Sequence, residues 1–273
     1  MKNYKRYLAI LGIILLLLLF FLPMVFAAGK TEGSRGRFMA SVVVMMLLPI
    51  VAFAIMIVYK TLQGKNGHPV SSRKVDNIVF DLGKVLLDYD WETYLRSYHY
   101  PRKKYDDIAD ATFRSPVWEE RDRGLLSEEE YLQKMIALAP EYERDIRKVM
   151  ENSGQTIHIR DYAATWVKYL KNQGYRVYVL SNYSARMREQ TLEEMQFLKE
   201  LDGAIFSCDV NLLKPEKAIY DTLLEQFGLN PKKTVFIDDR QENCDGAEQA
   251  GIHAICFRDF AQAAGELEKL GVV

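Results

Sequence analysis

Residues 77–87 read NIVFDLGKVLL. Asn77–Phe80 is a short strand-like run, and the chain then turns polar at Asp81 and flexible at Gly83. Apolar runs of this length, bounded by turn residues, read as buried strands. Similar runs return downstream at Arg176–Leu180, Ala204–Ser207, Thr234–Ile237 and His253–Phe257. Helical stretches separate them. Asp161 is placed to cap a helix that stops at Gly174, Pro215 opens one that stops near Gly228, and a short helix through Ala247–Ala250 ends at Gly251. This alternation predicts an α/β fold, a doubly wound and mostly parallel sheet with helices on both faces. Residues 91–160 break the pattern. They are dense in charge and show no convincing strand. Ser127 and Glu130 form a capping box, with Tyr131, Met135 and Leu138 on one helical face behind it. The stretch is predicted to be a helical insertion after the first strand.

Ligands of open parallel sheets sit beyond the carboxyl ends of the strands. The first strand is followed there by Asp81, the second by Ser181-Asn182, the third by Lys214-Pro215 a few residues on, and the fourth by Asp238-Asp239. A carboxylate, a hydroxyl, an amine and a carboxylate pair thus reach one edge of the sheet. That set suits phosphoryl transfer to a carboxylate. Singly, each is ordinary. A strand-end Asp commonly caps a turn, and Lys-Pro commonly opens a helix. The information lies in the joint order. Elsewhere the plain reading holds. The four histidines lack ligand spacing, Tyr94, Tyr98, Tyr100 and Tyr105 read as cover for the insertion's core, and Glu128–Glu130 as a solvated helix face.

With these residues in place, the chain resembles the haloacid dehalogenase-like hydrolase superfamily over residues 75–273. The motifs are Val79-Phe80-Asp81-Leu82-Gly83-Lys84-Val85, Val179-Leu180-Ser181-Asn182, Leu213-Lys214-Pro215-Glu216 and Val235-Phe236-Ile237-Asp238-Asp239, with Asn243 and Gly246 behind. The insertion at about 91–160 resembles the superfamily's helical cap. The segment Arg121-Asp122-Arg123-Gly124-Leu125-Leu126-Ser127 is most similar to its sugar-1-phosphate phosphatase branch. The resemblance implies a phosphoric monoester hydrolase. Asp81 would be the nucleophile that becomes an aspartyl-phosphate. Ser181, Asn182, Lys214 and the backbone at Leu82 and Gly83 would hold the phosphate. Mg²⁺ would sit on Asp81, the Gly83 carbonyl, Asp238 and Asp239, and Asn243 would anchor the metal loop. The partner implied is a small phosphorylated substrate. The paired acids argue against the metal-free dehalogenases of the same superfamily.

One position departs from the pattern. Most phosphatases of the superfamily carry a second Asp two residues after the nucleophile, and here that position is Gly83. General acid–base help is commonly worth about 10²–10⁴-fold. Three alternatives stand at this level. A nearby carboxylate (Asp88, Asp90, Glu119, Glu120 or Asp122) substitutes; the substrate has a good leaving group; or the domain is a binding or scaffold module without turnover. Lys84 is a smaller departure, adding phosphate attraction or pointing outward.

The composition supports a division of the chain. Its 273 residues carry a net charge of −1, but residues 1–74 hold ten basic residues and one acidic, while 75–273 hold 26 basic and 36 acidic. The acidic second part argues against a nucleic-acid partner. Three scattered cysteines, Cys208, Cys244 and Cys256, predict neither a disulfide framework nor a zinc site. Residues 7–28 and 38–59 are uncharged apolar stretches of 22 residues each. As helices they would be about 33 Å long, enough to span a bilayer. The first also resembles a signal peptide ending at Val25-Phe26-Ala27, but its apolar run is longer than usual for one. Basic residues flank the outer ends: Lys2, Lys5 and Arg6 before, Lys60, Lys65, Arg73 and Lys74 after, against Lys30, Arg35 and Arg37 between. The bias predicts two spans in residues 1–60 with both outer ends in the cytoplasm, a polar tether at 61–74, and the lipid bilayer as a partner.

Overall fold

The computed structural model describes residues 73–272. The expected spans at 7–28 and 38–59, and nearly all of the tether, lie outside the described residues. Among the described residues no helix is long and apolar enough to cross a membrane.

In chain order the elements are β1 (Asn77–Phe80), β2 (Leu87–Tyr89), α1 (Trp91–Arg96), α2 (Arg102–Ala111), α3 (Pro116–Arg121), α4 (Glu128–Leu138), α5 (Glu143–Glu151), β3 (Ile157–Ile159), α6 (Ala163–Asn172), β4 (Arg176–Ser181), α7 (Ala185–Gln190), β5 (Gly203–Phe206), α8 (Ser207–Val210), α9 (Lys217–Phe227), β6 (Thr234–Asp238), α10 (Gln241–Gln249), β7 (His253–Cys256) and α11 (Phe260–Lys269). Five strands form one sheet in the order β5-β4-β1-β6-β7, every pair parallel. In β1 the alternation of side chains divides the core. Ile78 and Phe80 pack on one face with Val177, Val179, Val235, Ile237 and Trp166. Val79 packs on the other with Tyr178, Leu180, Phe236, Ile219 and Tyr220. Both faces are covered, which is why β1 and β6 read as unbroken apolar runs rather than alternating ones.

The insertion has its own core. Leu95, Ile108, Met135, Ile146 and Val149 are fully buried in it, with Tyr98, Tyr100 and Tyr105 packed against them. Its helix starts are set locally: Asp90 Oδ1 accepts the Thr93 N–H at 2.9 Å, Ser115 caps α3 with Pro116 in the first turn, and Ser127 and Glu130 close the capping box of α4.

Three local expectations need correction. Residues 91–160 do contain a strand, β3, which pairs antiparallel with β2 through Leu87↔Ile159, Asp88↔His158 and Tyr89↔Ile157. Three residues are too few to show an alternation, and the pairing joins parts of the chain about seventy residues apart. Asp161 does not cap α6. That helix begins at Ala163 behind Tyr162 with no side-chain cap, and the Tyr162 hydroxyl donates instead to the Val85 carbonyl at 2.7 Å. Leu138 is 58% exposed although Tyr131 and Met135 of the same expected face are buried. α4 ends at Leu138, and Ala139 takes the inward position.

Candidate active site

The strand order reverses at β1, which lies between β4 and β6. At such a reversal the connections leave in opposite directions and open a crevice. Asp81 follows β1, Ser181 ends β4 and Asp238 ends β6. The Asp81 N–H still donates to the Ile237 carbonyl at 2.9 Å, so the sheet ladder fixes this residue's backbone. Its Oδ1 accepts from the Leu82 N–H at 2.7 Å, from Ser181 Oγ at 2.7 Å and from Lys214 Nζ at 2.8 Å. All three contacts fall on one oxygen, which turns the carboxylate and leaves Oδ2 outside this set.

Lys214 enters from the segment before α9. Its Nζ also donates to Asp238 Oδ2 at 2.6 Å, so one ammonium bridges two carboxylates. Lys214 is 4% exposed and Asp238 fully buried. Asn182 holds the lysine's backbone from both sides, accepting the Lys214 N–H at 2.9 Å and donating to the Lys214 carbonyl at 3.0 Å. Asp238 Oδ1 accepts from the Arg240 N–H and from Asn243 Nδ2, both at 2.9 Å. The Tyr220 hydroxyl donates to the Asn243 carbonyl at 2.7 Å and ties α9 to the first turn of α10. Gly246 keeps α10 close to the lysine segment. A Cβ there would lie 2.7 Å from the Pro215 carbonyl oxygen and 2.9 Å from the Tyr220 ring.

The electrostatics follow from burial. Burial lifts the Asp81 carboxyl to about 6; the charge of Asp238 adds to this, and Lys214 and Ser181 oppose it. For Lys214, burial works against the ammonium, but the charges of Asp238 and then Asp81 outweigh it and hold its pKa above the ordinary lysine value. Asp239 is also raised, by burial first and by Asp238 second. Asp81, Asp238 and Asp239 each offer an oxygen, and these lie within 4.8 Å of one another. An all-oxygen set of crowded, partly uncompensated carboxylates fits a hard divalent cation such as Mg²⁺. Every side chain expected at the site thus converges. The Leu82 N–H, expected to cradle phosphate, is taken by Asp81 itself. Lys84, exposed with φ 58°, lies close enough to the site for its charge to oppose the rise in the Asp239 pKa.

A cleft of about 630 Å³ opens between this edge and the helical insertion. Asp81, Gly83, Ser181, Asn182, Lys214 and Asp239 line its floor, and Phe113, Trp118, Tyr89, Tyr183, Ile157 and Met187 contribute an apolar wall. The wall escaped the sequence reading because its members come from α3, β2, β3, α7 and the segments just before α3 and α7. Only the β2–β3 pairing sets Tyr89 beside Ile157. Of the five carboxylates weighed for the missing acid, Asp88 pairs with Arg160 at 3.3 Å and Asp90 caps α1. Glu119 pairs with Arg240 at 3.3 Å and Glu120 with Arg123 at 3.4 Å. Asp122 lines the cleft, partly buried.

Comparison with known proteins agrees with this geometry. The sequence model of a hydrolase family described as haloacid dehalogenase-like hydrolase matches residues 75–251. The chain is 24% identical over 193 residues to sesquiterpene phosphatase astK of Aspergillus oryzae, spanning 70% of this chain and 94% of that protein. It is 21% identical over 198 residues to D-ribitol-5-phosphate phosphatase of Bacteroides thetaiotaomicron, spanning 65% of this chain and 89% of that protein. In fold it is similar to a haloacid dehalogenase family enzyme of Bacteroides thetaiotaomicron solved with magnesium and inorganic phosphate. That likeness has a TM-score of 0.56 and 21% identity, and covers 69% of this chain and 98% of the other.

Proposed function

The chain belongs to the haloacid dehalogenase-like hydrolases, and from that premise we propose a membrane-tethered, Mg²⁺-dependent phosphatase of small phosphate monoesters. The observation that carries the reading is the bridged arrangement of Asp81, Lys214 and Asp238 at the sheet edge, opening into a cleft large enough for an organic alcohol. Asp81 attacks phosphorus with Oδ2 while Ser181 and Lys214 hold Oδ1, and the ester is exchanged for an aspartyl-phosphate. Ser181 and Lys214 orient the phosphoryl oxygens, and the Asn182 amide, held on both sides by the Lys214 backbone, positions the lysine. Asp81, Asp238 and Asp239 with the Gly83 carbonyl would hold Mg²⁺, which supplies charge neutralisation between the anionic nucleophile and the phosphate.

The cleft supports a substrate with a carbon-rich or ring-bearing alcohol. Phe113, Trp118 and Tyr183 offer flat apolar faces. The buried Tyr89 hydroxyl has no hydrogen-bond partner among the described residues and suits an oxygen on that alcohol. Phosphatases of a sesquiterpene and of a polyol among the relatives are in keeping with this range, and a sugar phosphate falls inside it.

The test is phosphate release by the full chain from p-nitrophenyl phosphate and from a panel of phosphorylated metabolites. No release from any of them would leave a phosphate-binding module. Metal dependence has its own check. Activity should vanish in EDTA and return with Mg²⁺. By mass action, Mg²⁺ at 100 times its Kd should add about 2.7 kcal/mol of stability, or on the order of 5–10 °C in Tm for a domain of this size. Asp239→Asn should weaken that shift. An EDTA-insensitive enzyme with no Mg²⁺ shift would rule the cation out.

The tether rests on residues 7–28 and 38–59 and on their basic flanks. Expressed in cells, the full chain should sediment with membranes and resist extraction by alkaline carbonate. Protease added outside intact cells should leave residues 75–273 uncut; cleavage there would reverse the orientation.

A further inference from the structure

When the ester bond breaks, the departing alkoxide needs a proton, and the water that later splits the aspartyl-phosphate must lose one. The floor of the cleft provides neither. Asp81 is the nucleophile under the proposed function, on which this inference rests. Lys214 is locked between two carboxylates, and Asp238 takes hydrogen bonds on both oxygens. Gly83 has no side chain, and a Cβ built there would meet nothing within 4 Å. The space above the floor is open to a group from the opposite wall.

We infer that Asp122, carried by the helical insertion, is the catalytic acid and base of the reaction. Its place is fixed from both sides. The Asp122 carbonyl accepts from Ser207 Oγ at 2.5 Å, and the same Ser207 oxygen accepts the Tyr183 N–H at 2.9 Å, two residues from Ser181. One residue on, Arg123 makes a double hydrogen bond to Glu216, with Nη2 to Oε1 at 2.6 Å and Nη1 to Oε2 at 3.1 Å. Glu216 lies two residues from Lys214. Asn211 Nδ2 donates to the Arg123 carbonyl at 3.0 Å, and Gly124, at φ 72°, leaves room for Cys208 where a Cβ would touch it at 3.0 Å. Residues 122–124 are therefore stitched to the core strand ends, and the Asp122 side chain enters the cleft that Asp81 occupies. These bonds use the backbone of Asp122, and its carboxyl takes the Ser184 N–H.

The other cleft carboxylates have other partners. Glu216 and Glu120 face Arg123, Glu119 faces Arg240, and Asp239 stands with Asp81 and Asp238 in the set that would hold the cation. Burial lifts Asp122 to about 7. Arg121 and the Ser184 N–H oppose the rise, and Asp81 and Glu119 add to it. The titratable neighbours that in turn feel its charge are Tyr89, Tyr183 and Cys208. A carboxyl poised near neutrality can give a proton and take one back. In the first step Asp81 Oδ2 bonds to phosphorus, the P–O bond to the alcohol breaks, and the Asp122 proton passes to the leaving oxygen. In the second, water bonds to phosphorus, its proton passes to Asp122, and the bond between phosphorus and Asp81 breaks to free inorganic phosphate.

The experiment compares wild type and Asp122→Asn, as full chains with Mg²⁺, on an alkyl phosphate and on p-nitrophenyl phosphate, whose phenolate leaves without a proton. For the alkyl ester kcat/KM should fall by about 10²–10⁴-fold. For the aryl ester kcat/KM should fall less than about tenfold, because that ratio stops at the first bond cleavage. Slow hydrolysis of the intermediate should then give a burst of one p-nitrophenolate per active site. The wild-type decline in alkyl-ester kcat/KM as pH rises through about 7 should disappear in the variant. Gly83→Asp added to Asp122→Asn should restore alkyl turnover at least tenfold, since its Cβ has room. Equal losses on both esters without a burst, or no loss on either, would overturn the assignment. An active wild type with an inert Asp81→Asn would still leave the phosphatase reading standing.

Discussion

Asp81→Asn is expected to lower kcat/KM for every active substrate by roughly 10⁴-fold or more, the scale on which removal of a nucleophile is felt. The change is nearly isosteric. The remaining carbonyl oxygen can still accept from Ser181, Lys214 and the Leu82 N–H. Lys214 keeps its shorter bond, at 2.6 Å, to Asp238. The fold should therefore survive, and the pH dependence of stability shows why. The folded Asp81 carboxyl titrates near 6 against 3.8 unfolded, so the metal-free folded state binds this proton more tightly. Its contribution is present in full below about pH 4 and is lost as pH rises through 6. In EDTA near pH 8, where wild type bears the full burial penalty of the charge, the Asn variant should unfold no earlier than wild type. Thermal melts at pH 8 and pH 4 and a phosphate-release assay measure both halves. A variant that is folded and active at the wild-type rate would remove Asp81 from the chemistry.

Lys214→Met should have the largest effect on stability. It strands two buried carboxylates, one fully buried and the other 7% exposed, that now share one ammonium. Breaking a buried ionic cluster by removing one partner typically costs about 3–5 kcal/mol, which corresponds to a Tm lower by on the order of 10 °C for a domain of this size. Activity should fall as well, by at least about 10²–10³-fold, as for loss of a preorganised electrostatic contact to the reacting group. The deficit should depend on conditions in a definite direction. The Lys214 ammonium has a raised pKa, so its contribution is complete below the ordinary lysine range and is lost only as pH rises above it. Across neutral pH the wild type keeps all of it. In the variant the Asp81 carboxyl, relieved of the lysine that opposes its rise, takes up a proton as pH falls, so the gap in Tm should narrow toward pH 4. Mg²⁺ should also narrow it, by supplying a cation beside the same acids. A Tm unchanged by the substitution at pH 7.5 would mean that the bridge contributes nothing to folding.

The sequence by itself determined the sheet and the floor of the site. The strand runs ending before Asp81, at Ser181 and at Asp238 were legible because a central parallel strand buries both faces and leaves an unbroken apolar signature. Asp81, Ser181 and Asp238 then stood out by polarity, at the first positions beyond the buried runs, whereas Lys214, several residues past the third run, and the role of each residue came from the family resemblance. Capping of α4 was equally legible, because Ser127 and Glu130 satisfy each other within one turn. What lay between distant segments was not. The three-residue β3 exists through its pairing with β2, and α6 starts behind Tyr162 with no side-chain cap rather than at Asp161. Leu138 fell outside the insertion's core where α4 stops. Among five candidate carboxylates, sequence gave no ranking. Only the tertiary contacts of Ser207, Asn211 and Glu216 bring residues 122–124 over the cleft, while Asp88, Glu119 and Glu120 pair with arginines and Asp90 caps α1. The reason is one of range. Burial pattern and capping are properties of neighbouring residues, whereas the seating of the insertion on the sheet edge is a sum of long-range bonds, each weak and none carrying a local signature.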